Sequence, residues 1–238
     1  MNQSAGEAGA VPGWYGKLST LGDFAGRRLV VPVQQALDHW LAEVVAGSRE
    51  QLGDDWLDHY LGSPLQRFVL GPEVLDARWW FGMLMPSCDN VGRYFPLVVL
   101  QSREAPPTDR AGLEHLGLWW PQAGEAMLET LADEVDVERF DRALAALPPW
   151  PVPPAGSGAY AVPWPEAGAP AGHAAVWPLP ADCTPADLVR DLAAADWQRR
   201  LRGQSLWWSW RPQGGPTQCR VVPGLPTAAD FAGMLWPG

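Results

Sequence analysis

Between Trp79 and Val99 the chain reads WWFGMLMPSCDNVGRYFPLVV, two apolar runs enclosing a polar insert with a proline, an adjacent Asp and Asn, a glycine and an arginine. The flanks, residues 78–85 and 94–101, are so nearly continuous in aromatic and branched residues that they read as strands buried on both faces. The insert therefore belongs at a sheet edge or end. Asp89 and Asn90 favour a turn, Gly92 can take a positive φ, and Arg93 is the fixed cation beside a carboxylate. The simplest reading is a structural pin, a buried Arg93–Asp89 pair that holds the turn, because ion-pair networks order a site without performing chemistry.

The rest of the chain has to cover that sheet. With 238 residues, 47% hydrophobic and 18% charged, it is long enough for one large core or two small ones and has the balance of a packed globular protein. No run approaches the roughly twenty apolar residues of a membrane helix, and the N-terminus lacks a basic segment followed by an apolar one. The expectation is a soluble, cytoplasmic protein without membrane insertion. The net charge of −10 accumulates before residue 141, ten basic against twenty acidic side chains, with seven against seven afterwards. Such an acidic first portion disfavours nucleic acid and anionic lipid as partners. Lys17 is the only lysine, which a compositional bias explains more simply than a function does. Cys88, Cys183 and Cys219 are odd in number and lack metal-ligand spacing, and His39, His59, His115 and His173 are scattered, so neither a disulfide framework, a zinc site nor a cofactor is indicated.

Residues 1–12 are small and Gly/Ala-rich and read as a loose tail. After Pro32, apolar residues from Val33 to Val45 recur at helical spacing, giving an amphipathic helix with Gly47 near its end or inside a longer one that continues through Leu52. Residues 54–61 read as a second, short helix, with Asp54 or Asp55 as its cap and the acidic first turn complementing the helix dipole. Capping and solvation account for these carboxylates better than a hard-cation site, which needs more alternating oxygen ligands. Residues 66–70 suggest a further strand, and residues 122–133 and 137–147 suggest helices, the second capped by Asp136. Between residues 148 and 180 stand ten prolines and four glycines, which no regular helix or central strand accommodates. Tyr160, Trp164 and Trp177 make this an irregular excursion that docks in part, with one short strand near Tyr160. Thr184-Pro185-Ala186-Asp187 opens a helix to about Leu201. Strands at 205–210 and 219–222 and a last helix at 227–235 complete the pattern. Strands alternating with helices favour an α/β fold with helices on both sheet faces, organised as one domain over residues 13–238.

Several ordered motifs resemble one family, the type VI secretion system-associated protein TagF. They are GWYGKL with GDFAGRRL (residues 13–29), DHWL (38–41), SREQLGDDWLDHYL (48–61), RFVL (67–70), MPSCDNVGRYFPL (85–97), SLWW (205–208) and PGLPTAADFAGML (223–235). Ser19 stands where the family commonly has a proline, and Cys88 and Asn90 where an aliphatic and a basic residue are common. The resemblance implies a three-layer α/β/α sandwich around a mixed sheet and no known catalytic activity. It also implies post-translational repression of type VI secretion, linked to a forkhead-associated (FHA) scaffold protein. The candidates for partner binding or loop structure are Asp23, Arg27 and Arg28 from the first motif and Asp89 and Arg93 from the GRYF region.

Two other classes compete with a binding regulator. A hydrolase would use Cys88 or Ser87 in the 86–93 loop, the thiol activated by Arg93. Neither a GxSxG elbow nor a nearby histidine supports it. A small-molecule or glycan sensor would bring several of the fifteen tryptophans to one open cleft. Most of the tryptophans are expected in the core, since adjacent ones on a strand, as in Trp79-Trp80 and Trp207-Trp208, point to opposite faces.

Overall fold

A computed structural model of the chain describes residues 11–19, 23–89, 91–132, 136–151, 183–215 and 217–235. In chain order they form β1 (Gly13–Gly16), β2 (Ala25–Arg27), α1 (Val31–Leu52), a 3₁₀ turn at Gly53–Asp55, α2 (Trp56–Gly62), β3 (Leu65–Leu70), β4 (Trp79–Met85), β5 (Leu97–Arg103), α3 (Arg110–Glu129), α4 (Val137–Ala145), α5 (Pro185–Leu201), β6 (Gln204–Trp210), β7 (Cys219–Pro223) and α6 (Ala228–Leu235). The seven strands make one sheet in the order β2-β1-β5-β4-β3-β6-β7.

Every neighbouring pair in that sheet is antiparallel, which corrects the expected mixed sheet. The physical reason lies in the connections. Parallel neighbours need a crossover, usually helical, whereas β3, β4 and β5 follow one another through loops alone and can pair only by reversing. β4 lies between β5 and β3 and is buried along its whole length. The short strands β2 and β7 close the two edges, which limits the unpaired backbone available for misassociation.

Strand alternation sorts the apolar residues into two clusters. Trp79, Phe81, Met83 and Met85 of β4 join Trp119, Trp120 and Met127 of α3 and Phe140 and Leu144 of α4. Trp80 and Leu84 join Val33, Leu37, Leu41 and Val44 of α1, Trp56 and Tyr60 of α2, and Phe231 and Leu235 of α6. Trp208 and Trp207 divide in the same way. Helices therefore pack on both clusters, with α5 reaching the first through Trp197 and Leu201.

The helix ends follow local chemistry except at two places. Asp136 accepts from Glu138 N at 2.9 Å, and Thr184 with Asp187 completes a capping box. No side-chain cap bond forms at Asp54 or Asp55, because the 3₁₀ turn runs directly from α1 into α2 and supplies the backbone partners instead. Helix α3 begins at Arg110, well before the expected 122, capped by Asp109 accepting from Gly112 N at 2.7 Å. Pro121 lies inside it, removing one backbone donor. The buried Leu116, Trp119 and Trp120 on its preceding turns hold the helix through that defect. Strands β1 and β2 carry no alternation long enough to read beforehand. The excursion at 148–180 and the strand near Tyr160 fall mostly outside the described residues, as do residues 1–10; Trp150, at its start, is buried against the first cluster.

Candidate functional site

The loop between β4 and β5 is organised by one carboxylate. Asp89 Oδ1 accepts from Val91 N at 3.1 Å and Arg93 N at 2.8 Å, and Oδ2 accepts from Arg93 Nε at 2.6 Å. Backbone bonds from Asp89 N to Arg93 O and from Gly92 N to Asp89 O, both 3.1 Å, close the turn, and Gly92 supplies a φ of 78° that other residues rarely adopt. The expected Asp89–Arg93 pair forms, but only its carboxylate is buried, the arginine reaching solvent, and it has a third member. Lys17, just after β1, donates to Asp89 Oδ2 at 2.6 Å with both side chains withdrawn from solvent. Burial alone would raise the Asp89 carboxyl. The Lys17 ammonium, the Arg93 N–H, the Arg93 guanidinium and the Val91 N–H together outweigh it and hold the group well below the usual carboxylate range.

The neighbouring residues brace the same loop. Ser87 is buried; its hydroxyl donates to Lys17 O at 2.8 Å, and its N–H donates to the Tyr60 hydroxyl at 3.1 Å. Tyr60 donates back to Ser87 O at 3.0 Å, tying α2 to the loop. Phe24 lies over Lys17 at 4.6 Å and meets Phe95 edge-on at 4.8 Å, so its ring covers the ion pair. Above this buried foundation the surface is partly apolar: Phe24 is 45% and Val91 69% exposed. The Arg93 side chain is 58% exposed beside them.

Arg27 and Arg28 belong to a different constellation. Arg27 Nη1 donates to Asp141 at 3.0 Å and to Glu138 at 3.0 Å, and its Nη2 also meets Glu138. Arg28 donates through Nη2 to Asp141 at 2.6 Å and through Nε to Pro12 O at 2.8 Å. Trp14 Nε1 donates to the same carboxylate at 2.9 Å. Burial opposes ionisation of Asp141, but the bonds from Arg28, Trp14 and Arg27 lower its pKa to about 2. These arginines therefore clamp the β1–β2 hairpin to α4. Asp23 is exposed, its carboxylate accepting from Phe24 N at 2.8 Å as a turn residue does.

The five residues singled out in the sequence thus divide. Asp89 and Arg93 stand together, Asp23 shapes the turn that presents Phe24, and Arg27 and Arg28 face α4. Sequence reasoning missed Lys17, Phe24 and Asp141. That Lys17 is the sole lysine was a usable signal, because a cation retained as lysine amid arginines fits a site for a compact point charge.

Among the described residues no group of three His, Cys, Asp or Glu side chains could hold a metal ion, and no helix is long and apolar enough to cross a membrane. Among the described residues nine tryptophans are buried, while Trp208 and Trp210 line an open cleft at the β6 end of the sheet.

An antiparallel sheet with helices packed on both apolar clusters, and a loop braced by a buried lysine–carboxylate pair that an exposed arginine joins, define an α/β protein that presents a preformed surface. Residues 13–147 match the model for the TagF N-terminal domain, type VI secretion system-associated, so the chain belongs to the TagF family. The crystal structure of PA0076 from Pseudomonas aeruginosa PAO1 is similar, with 35% identity and a TM-score of 0.67 over 95% of this chain and 94% of that one. A comparison with curated proteins gave no match.

Proposed function

We propose that this chain is a non-catalytic, post-translational repressor of a bacterial type VI secretion system, acting in the cytoplasm by binding the system's FHA-type scaffold protein. The observation that carries the reading is family membership over residues 13–147, the span that contains the GDF motif, the braced loop and the α4 clamp. The geometry supports a binding role rather than a reactive one. The Ser87 hydroxyl and the Asp89 carboxylate are committed to holding the loop, so its polar groups preorganise a surface instead of awaiting a substrate. Phe24, Val91 and Arg93 supply an aromatic, an aliphatic and a guanidinium contact on that surface, and aromatic and arginine side chains frequently dominate binding energy. Helices on both apolar clusters support the three-layer arrangement that the family implies.

Calorimetric titration of the purified chain with the FHA-type scaffold of the same system tests the proposal. Saturable binding that Val91→Asp and Phe24→Ser weaken, with the melting temperature maintained, is the expected result. Absence of binding by the wild-type chain contradicts the scaffold reading, and undiminished binding by both variants moves the contact elsewhere.

A further inference from the structure

The cleft at the β6 end of the sheet has a volume of about 430 Å³, within the range of small-molecule sites, and is lined by Arg67, Trp208, Trp210, Arg211, Gly214 and Thr217 among others. Arg67 projects from β3, in register with Trp208 of β6. Its guanidinium stands 6.0 Å from the Trp120 ring and 5.3 Å from the Trp210 ring. Trp120 in turn packs edge-on against Trp208 at 4.8 Å, so three indoles fix the cation in place.

What the cleft lacks is a counter-ion. The Arg67 Nε is buried with no hydrogen-bond partner, and among the described residues no carboxylate pairs with this side chain. Arg67 as a whole is half-buried; a polar atom withdrawn from water without a partner is costly, and cation–π contacts return only part of that cost. Burial also lowers the pKa of this arginine. The second cation of the lining, Arg211, donates to Gly62 O at 3.1 Å and, among the described residues, has no carboxylate partner either. Two arginines and no acidic residue line this cleft in a chain of net charge −10, the opposite of its average surface.

We infer that this cleft binds a small-molecule oxyanion, a carboxylate or a phosphate monoester with a flat apolar body, whose anionic group pairs with Arg67 and Arg211 while its body lies against Trp208 and Trp210. A guanidinium held between aromatic planes offers its edge for bidentate pairing, and indole faces accept a flat ligand. The inference is independent of the secretion role, since it rests on Arg67, Arg211 and the tryptophans around them.

Titration of the full chain with benzoate, phenyl phosphate and neutral benzyl alcohol, followed by calorimetry and tryptophan fluorescence at constant ionic strength, tests it. Saturable binding of benzoate or phenyl phosphate, with benzyl alcohol at least tenfold weaker, is expected, and the stronger of the two anions identifies carboxylate or phosphate as the preferred group. Arg67→Met should remain folded, because a methionine fits among the indoles and leaves no unpaired Nε, and should lose about tenfold or more in affinity, the scale of one charged hydrogen bond. Arg211→Gln, at the exposed rim, should weaken binding as well and serves if Arg67→Met does not fold. Equal binding of all three probes, equal affinity in the Arg67→Met and Arg211→Gln variants, or no saturable binding overturns the inference.

Discussion

The Lys17 ammonium and the Asp89 carboxylate meet at 2.6 Å in a setting closed to solvent, joining the end of β1 to the loop between β4 and β5. The contact links residues far apart in sequence, and the same carboxylate also organises the turn that ends in Arg93. Lys17→Met removes the ammonium and leaves a buried carboxylate supported only from within its own loop. The expected loss is about 3 kcal/mol, the lower end for breaking a buried pair, because Arg93 and two backbone N–H groups remain. Urea denaturation measures it, and a loss well below 1 kcal/mol would show the pair to be incidental.

Stability should fall on acidification for a defined reason. Asp89 and Asp141 both have folded-state pKa values below those of the unfolded chain. Each therefore contributes stability that is fully present above the unfolded value of about 3.9 and is lost as pH falls through the folded one. For Asp141 that window runs from about pH 4 down to about 2. The melting temperature of wild type should drop over this range, and the Asp89→Asn, Asp141→Asn double variant should show a flatter acid limb from a lower starting point. A parallel acid limb in the double variant would contradict the assignment.

Glycine positions in α3 make opposite predictions. At Gly117 nothing stands within 4 Å of an added Cβ, so Gly117→Ala should stabilise by about 0.5–1 kcal/mol through helix propensity. At Gly124 an added Cβ would stand 2.8 Å from Cη2 of Trp210, and overpacking there should outweigh propensity, for a net cost of about 1–2 kcal/mol. Thermal melting of the two single variants compares them directly.

Cys88→Ala should leave repression intact, because the proposed mechanism uses no thiol. Secretion assays on a complemented strain decide this. Loss of repression with a fully folded variant would restore the hydrolase reading of the 86–93 loop.

Legibility in the sequence followed the strength of local signals. The β4–loop–β5 unit, the α1 periodicity and the Thr184 capping box are written in contiguous residues, and each forms, although β5 runs over Leu97–Arg103 rather than 94–101. The start of α3 was hidden by Pro121, which reads as a helix opener although tertiary packing carries the helix through it. Strands β1 and β2 are four and three residues long, too short for alternation to show. The Asp89–Arg93 pin was readable because its members lie four residues apart. Lys17 and Asp141 enter their sites only through long-range packing, which no spacing rule reports. The antiparallel sheet was misread for the same reason, since strand direction depends on where each connection returns.

The measurement that tests the central claim most directly is release of the type VI tube protein into the medium. Cells lacking this chain would be compared with wild type and with strains complemented by the wild-type chain or by Val91→Asp. Repression through the braced loop predicts increased release in the deletion strain, reversal by the wild-type chain, and failure of Val91→Asp to reverse it at equal protein level. Unchanged release in the deletion strain, under conditions where the system is inducible, would contradict the account.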